Sequence, residues 1–319
     1  MNLSIIIPYH DEGYDFIKTT VDSIKNSIDI EDYEIIIVDD FSDQPLQNID
    51  DVIVVRHPEN LGVGVAFDTG VKISKSENLF LMGSDIRFIP NKWASQIIKE
   101  IEDYPKAFTC TSCVALSAEK LDINERRLIN VVNGATILMF HDKKTNPKQS
   151  DTFKGIIEAQ WLKHLKNRNI DSFEIPCILG AAYGVKKSWY EYVDGWSLHK
   201  KWGTLEPYIS LKSWLFGGSC RTAPKIETGH IFKTVGTHGT PQEKLFYNKM
   251  MVATVLFDDY ERLIHFLGTN TTIENAREMY NNNLDSILKK KEEYKKKIVY
   301  NYLDFFERFD IDYRPDYQI

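Results

Sequence analysis

The sequence predicts an α/β fold, a mixed but mainly parallel sheet flanked by helices, with a helical extension at the C-terminus. Three observations carry this. Short, nearly all-apolar runs recur at residues 3–7, 33–38, 52–56 and 78–82, and strands apolar on both faces belong to parallel sheets covered by helices. Segments with helical spacing alternate with them, and beyond about residue 241 the pattern is helical throughout.

In chain order, residues 16–28 place Phe16, Val21, Ile24 and Ile28 on one face of a first helix. The second strand stops at the polar run Asp39-Asp40-Phe41-Ser42-Asp43, and a helix runs from Ala66 to about Ser74 after Pro58-Glu59-Asn60-Leu61-Gly62. The fourth strand breaks at Gly83-Ser84-Asp85 before a helix over 93–102. Residues 107–117 and 133–140 read as strands, with antiparallel pairing open to them, 147–150 as a polar loop, and 175–185 as an apolar, small-residue stretch. A helix over 206–216 is stopped by Gly217-Gly218. Helical segments then cover 244–266 and 272–297. The expected division is a domain of residues 1–240 and a C-terminal helical extension of residues 241–319, with Lys289–Lys291 and Lys295–Lys297 on a solvated face or against a polyanion or membrane surface.

Composition narrows the function. With 319 residues and 43% apolar content the chain can bury a substantial core. A formal charge of −7 gives no global attraction for nucleic acid or anionic membrane. The start MNLSIIIPYHDEG is a strand opening and lacks a basic n-region. No stretch approaches the roughly 20 apolar residues of a membrane span, so a cytoplasmic setting is expected. Cys110 and Cys113 have the spacing of a zinc half-site or redox pair, but Cys177 and Cys220 do not form a second close pair. Buried free thiols are the expectation. No glycine-rich dinucleotide or P-loop motif follows the first strand.

Ligands of such sheets bind beyond the carboxyl ends of the strands. Residues 8–12, 39–43 and 83–85 all fall there, so three polar clusters converge on one edge.

LSIIIPYHDEG, EIIIVDDFSD, HPENLGVGVAFDTG and LMGSD, in that order, resemble the N-terminal half of family 2 glycosyltransferases, enzymes of the GT-A fold that use nucleotide sugars. WGTLEPYISLKSW, GHIFK and the helix with FYNKMMVATVLFDDY are similar in layout to polypeptide N-acetylgalactosaminyltransferases. The resemblance implies a UDP-sugar donor and Mn²⁺ or Mg²⁺, whose positive charge neutralises a departing diphosphate. It implies Asp85 and His230 as metal ligands, and Gly83 stands where the family usually has a first acid. It further implies Asp39 on the uracil N–H, and Pro8, Tyr9, His10 and Glu12 around base and ribose. Asn60, Gly62 and Ser84 line the nucleotide, and Lys233 lies near the phosphates, with Arg221 as a second cation. Phe67 stands where an arginine is usual. Glu206 is the expected acceptor-side base or orienter, and Asp194, Gly195, Trp196, Trp202 and Gly203 are expected against donor or acceptor sugar. The local alternatives are turn formation for Asp40 and Asp43 and helix-start placement for Glu206.

A glycan acceptor is expected, with a protein side chain or a modified DNA base as alternatives. A metal-dependent nucleotidyltransferase is a competing reading, but PYHDEGYD is neither glycine-rich nor basic. A non-catalytic relative is another, and intact Asp39, Asp85, Glu206 and His230 speak against it.

Overall fold

The computed structural model describes the chain except residues 89–91, 118–130, 143–153, 163–168, 180–181, 233–240 and 314–319. The strands are β1 (Leu3–Tyr9), β2 (Tyr33–Asp39), β3 (Ile53–Arg56), β4 (Asn78–Met82), β5 (Ile86–Phe88), β6 (Ala107–Ser117), β7 (Val131–Val132), β8 (Ala135–Leu138), β9 (Glu158–Trp161), β10 (Phe173–Glu174), β11 (Ala182–Lys186) and β12 (Ser219–Phe232). The helices are α1 (Tyr14–Lys25), α2 (Val63–Ile73), α3 (Trp93–Asp103), α4 (Lys187–Tyr192), α5 (Leu205–Leu215), α6 (Gln242–Leu256), α7 (Tyr260–Phe266), α8 (Thr271–Asn282), α9 (Leu284–Lys295) and α10 (Tyr302–Arg308).

The main sheet runs β10-β12-β6-β11-β4-β1-β2-β3. Its half containing β4, β1, β2 and β3 is parallel, as the apolar runs require. Strand β11 is antiparallel to both β4 and β6, while β12 runs parallel to β6. From β1 the chain moves outward through β2 and β3, then returns to place β4 on the other side of β1. The crevice between β1 and β4 is therefore a topological switch point, where such sheets bind ligands.

Apolar clusters cover both faces of the sheet. One contains α1 and α3 with the outward side of β1, β2 and β4, through residues such as Ile5, Ile17, Phe80 and Trp93. The other joins Ile6, Phe67 and Leu81 to residues of every C-terminal helix, including Met250, Leu263, Ile273, Tyr294 and Phe306. Of the two long helical segments, the first divides into α6 and α7 and the second into α8 and α9. The lysine-rich segment is only partly solvated: Lys291 is buried and donates to Phe257 O at 3.0 Å, and Lys290 reaches Asp194 at 2.9 Å. All four cysteines are buried and free. The polar loop expected at 147–150 lies outside the described residues.

Candidate active site at the switch point

Four hydrogen bonds tie the strand ends together. Glu12, after β1, accepts from Ser84 Oγ, after β4, at 2.8 Å across the switch point, and its other oxygen accepts from His10 N at 2.7 Å. His10 Nε2 lies 2.7 Å from Asn60 Nδ2 in the loop after β3. Asp11 closes the set, its N–H donating to Ser42 Oγ at 3.0 Å and its carboxylate accepting from Asp43 N at 2.7 Å. The three polar clusters do converge on one edge.

Asp85 and His230, far apart in sequence, are brought together by strand pairing. Strand β5 pairs with the far end of β12, opposing Ile86 to His230, and Ile231 N donates to Asp85 O at 3.0 Å. His230 Nε2 then lies 3.5 Å from Asp85 Oδ2, both side chains partly exposed. Among the described residues no group of three or more His, Cys, Asp or Glu is gathered to hold a metal ion. One carboxylate and one imidazole nevertheless fit a cation that takes its remaining ligands from phosphate and water, the usual habit of Mg²⁺.

Arg87 explains the residue that follows this turn. It is fully buried and donates to Ser84 O at 3.2 Å, Ile86 O at 2.9 Å, Phe16 O at 3.3 Å and the Thr20 hydroxyl. Burial pulls its guanidinium down to about 10, against the pull of Asp85. The side chain bolts the Asp85 turn onto α1.

The residues expected around the base are engaged in structure. Asp39 is 1% exposed. Its carboxylate accepts from Ser42 N at 2.9 Å, Leu46 N at 3.1 Å and Arg56 Nη1 at 2.5 Å. Burial alone would raise its pKa, but the hydrogen bonds from Ser42, Leu46 and Arg56 win and lower it. Asp40 serves the turn, accepting from Leu61 N at 2.8 Å and Gly62 N at 2.7 Å and meeting His57 at 2.8 Å. Pro8 is buried within β1. Tyr9 is buried too, its hydroxyl accepting from Gly13 N at 3.2 Å, so the ring left at the rim is His10. Gly62 also packs against the opposite loop: with φ at 101°, a Cβ there would stand 2.4 Å from Lys201 Cα.

On the other side, residues 194–204 hold an unusual density of left-handed backbone, with positive φ at Asp194, Gly195, Leu198, Lys201, Gly203 and Thr204. Such conformations persist only where surroundings enforce them. Here the enforcement is buried and polar. Lys212, fully buried on α5, donates to the carbonyls of Asp194 and Gly195, and Tyr294 OH donates to Asp194 Oδ2 at 2.9 Å. A Cβ on Gly195 would meet Asp68 Oδ1 at 2.1 Å. Trp196 is fully buried, stacked on Phe67 with ring centroids 5.1 Å apart and donating to Leu205 O. Gly195 and Trp196 thus face the interior and shape the loop, Asp194 is partly exposed and held by Tyr294 and Lys290, and Trp202 is 61% exposed. Phe67 fills its place by packing on Trp196 and Tyr183.

Glu206 opens α5 and is half-buried. Desolvation raises its pKa and only its own backbone N–H opposes this. Arg221 sits at the opposite end of β12 from His230, lying over Tyr104 and donating to Ser172 O at 2.7 Å, so it is no cation of this edge. Lys233 lies outside the described residues. Sequence reading missed Lys201, His199 and Asn248, which organise the loop carrying Trp202; nothing in KKW or FYNKMM marks them. Arg87 did carry a signal, a lone cation inside an apolar run.

The family model for glycosyl transferase family 2 matches residues 4–191. Polypeptide N-acetylgalactosaminyltransferase 10 of Homo sapiens is 25% identical over 286 residues, covering 83% of this chain and 43% of that one, so the chain spans less than half the length of that relative. The structure of GalNAc-T7 with UDP, GalNAc and Mn²⁺ superposes with a TM-score of 0.61 at 16% identity, over 88% of this chain and 54% of the other. That of S. aureus TarS 1–349 with UDP gives 0.51 at 12%, over 90% and 72%. The switch-point crevice lies in a GT-A fold, and by a match spanning more than half its length the chain belongs to glycosyl transferase family 2.

Proposed function

We propose that this protein is a metal-dependent glycosyltransferase that moves a sugar from a UDP-sugar to a hydroxyl of a glycan acceptor. The observation that carries the reading is the meeting of Asp85 and His230 at the end of β4, beside the Glu12–Ser84 bridge over the switch point. These two side chains hold Mn²⁺ or Mg²⁺, which supplies positive charge for a departing diphosphate. Asp39 is an anion at neutral pH, and uracil N–H reaches it by taking the place of Ser42 at Oδ1. His10 and Asn60 border the base and ribose, and Lys233 serves the phosphates. Glu206, its basicity strengthened by desolvation, orients and deprotonates the acceptor hydroxyl. The exposed face of Trp202, beside Gly203, receives the acceptor sugar.

Binding and hydrolysis across a panel of UDP- and GDP-sugars, with and without Mn²⁺, test this. One UDP-sugar should bind in a metal-dependent manner, with turnover reduced on the order of 10³-fold in Asp85→Ala, as for other residues that stabilise transition-state charge, and also lost in His230→Ala. Binding indifferent to metal and to both substitutions overturns the reading. The names of the curated relatives favour a second acceptor class, a protein hydroxyl, so peptide acceptors belong in the same assay.

A further inference from the structure

The loop that carries Trp202 is also bonded to the opposite wall of the crevice, and the link is Lys201. Its backbone forms a parallel bridge with Gly62, and its O accepts from Val63 N at 3.2 Å. Its ammonium donates to Asn60 twice, to the backbone O at 2.5 Å and to the side-chain Oδ1. That second bond fixes which way the Asn60 amide faces, since Oδ1 on an ammonium leaves Nδ2 as the group beside His10, 2.7 Å from Nε2. Ammonium, amide and imidazole form one row along the rim.

The loop on either side of Lys201 is held from the C-terminal helices. Asn248 on α6 is fully buried and spends both ends of its amide on this loop. Its Oδ1 accepts from Lys200 N at 2.9 Å, and its Nδ2 lies 2.8 Å from Lys200 O and 3.3 Å from both Trp202 O and Gly203 O. Buried His199 adds a contact of 2.6 Å from Nε2 to Gly203 O, and burial pulls its imidazole down to about 4, against the Gly203 hydrogen bond, so it stays neutral. With φ at 59° for Lys201, 92° for Gly203 and 63° for Thr204, the loop keeps this shape only while so braced.

We infer that Lys201 is a positioning residue of the donor pocket: anchored through Asn248 of α6, it fixes the Asn60 amide against His10 and thereby joins the Trp202 loop to the nucleotide side. This rests on the proposed UDP-sugar reading and adds to it a residue and a direction of coupling.

The test is UDP affinity by calorimetry in the presence of Mn²⁺, on full-length wild type, Lys201→Met, Lys201→Arg, Asn60→Ala, the Lys201→Met/Asn60→Ala double variant and Asn248→Asp. Loss of the ammonium's two charge-assisted hydrogen bonds to Asn60 should weaken UDP about tenfold in Lys201→Met. Asn60→Ala should weaken it similarly, and the double variant no further, because the two act through one row. Lys201→Arg should recover most of the affinity. Asn248→Asp, which turns a carboxylate oxygen toward three carbonyls, should weaken UDP without touching the nucleotide side directly. Thermal melts separate these losses from misfolding, because Lys201 is partly exposed and its Met variant should melt with wild type. UDP binding unchanged in Lys201→Met, or losses that multiply in the double variant, overturns the inference. A wild-type protein that ignores UDP overturns instead the donor reading on which it rests.

Discussion

The two walls of the crevice are built in different ways. On the side proposed for the nucleotide, Asp39 ends a strand of the parallel sheet and Glu12, Asn60 and Asp85 each follow one within a few residues, and short hydrogen bonds such as Glu12–Ser84 connect one strand end to the next. On the Trp202 side, the working residues ride on a loop with little regular structure, shaped by groups far away in sequence. Lys212, Asn248, Lys290 and Tyr294 hold it from α5, α6 and α9. The first wall inherits its geometry from the sheet. The second depends on buried polar bonds, which are costly when broken, so substitutions on the two walls should fail in different ways.

Lys212 gives the largest contrast. It is buried, lies 4.0 Å over the Tyr208 ring, and is faced by Asp68, Asp194, Lys290 and Lys297. Burial pulls the amine down, while Asp194 and Asp68 oppose the fall. Lys212→Met strands the carbonyls of Asp194 and Gly195 and removes the cation that faces Asp68 and Asp194, and removing one partner from a buried charged network typically costs about 3 kcal/mol or more. An unfolding free energy lowered by that amount, read in urea as a lower midpoint with the slope unchanged, is the expected result. Asp85→Ala, on the sheet-built wall, should change the unfolding free energy by less than about 0.5 kcal/mol, as usual for a partly exposed site outside the core. Equal losses in the two variants would erase the distinction between the walls.

Legibility in the sequence follows the same division. The parallel strands and the flanking helices α1, α2, α3 and α5 stand within a few residues of where hydrophobic periodicity puts them, because burial on both faces of a strand and on one face of a helix is written locally. Asp85 with His230 was legible only through resemblance, since their meeting depends on β5 pairing with β12. Trp196 shows the limit from the other side. Beside Asp194-Gly195 it reads as a ligand contact, yet it is core, because Phe67 offers it a flat apolar face. Asn248 is invisible: a polar residue in an otherwise buried helix stretch announces an unusual site but not which carbonyls it will satisfy.

Glu206 tests whether the second wall does chemistry as well as shaping. Its carboxyl ordinarily titrates near 4.5, and burial raises it. A general base must be deprotonated, so transfer should fall as pH drops through this raised value, placing the acidic limb of kcat/KM above the ordinary glutamate range. Glu206→Gln should lower kcat about 10²-fold, the small end of general-base contributions, and abolish that limb. A limb that persists in Glu206→Gln belongs to another group and returns Glu206 to a helix-start role.

The smallest expected effect sharpens the first wall, at Gly83. The family resemblance makes its missing acid look like a loss, but a Cβ built on Gly83 would stand 2.6 Å from Asp85 Oδ1. Asp85 therefore occupies the space an acid at 83 would claim, with its other oxygen toward His230. Gly83→Asp should not add a second ligand to the pair; it should turn the Asp85 carboxylate away from His230. Because the displaced atom is the end of a side chain, the fold should be unaffected. Mn²⁺ affinity in the presence of UDP, read by calorimetry, should weaken about tenfold, the equivalent of about 1.4 kcal/mol, in both Gly83→Asp and Gly83→Ala. Tighter Mn²⁺ binding in Gly83→Asp would show instead that the turn has room for two acids, and that the sheet-built wall tolerates a ligand its present geometry excludes.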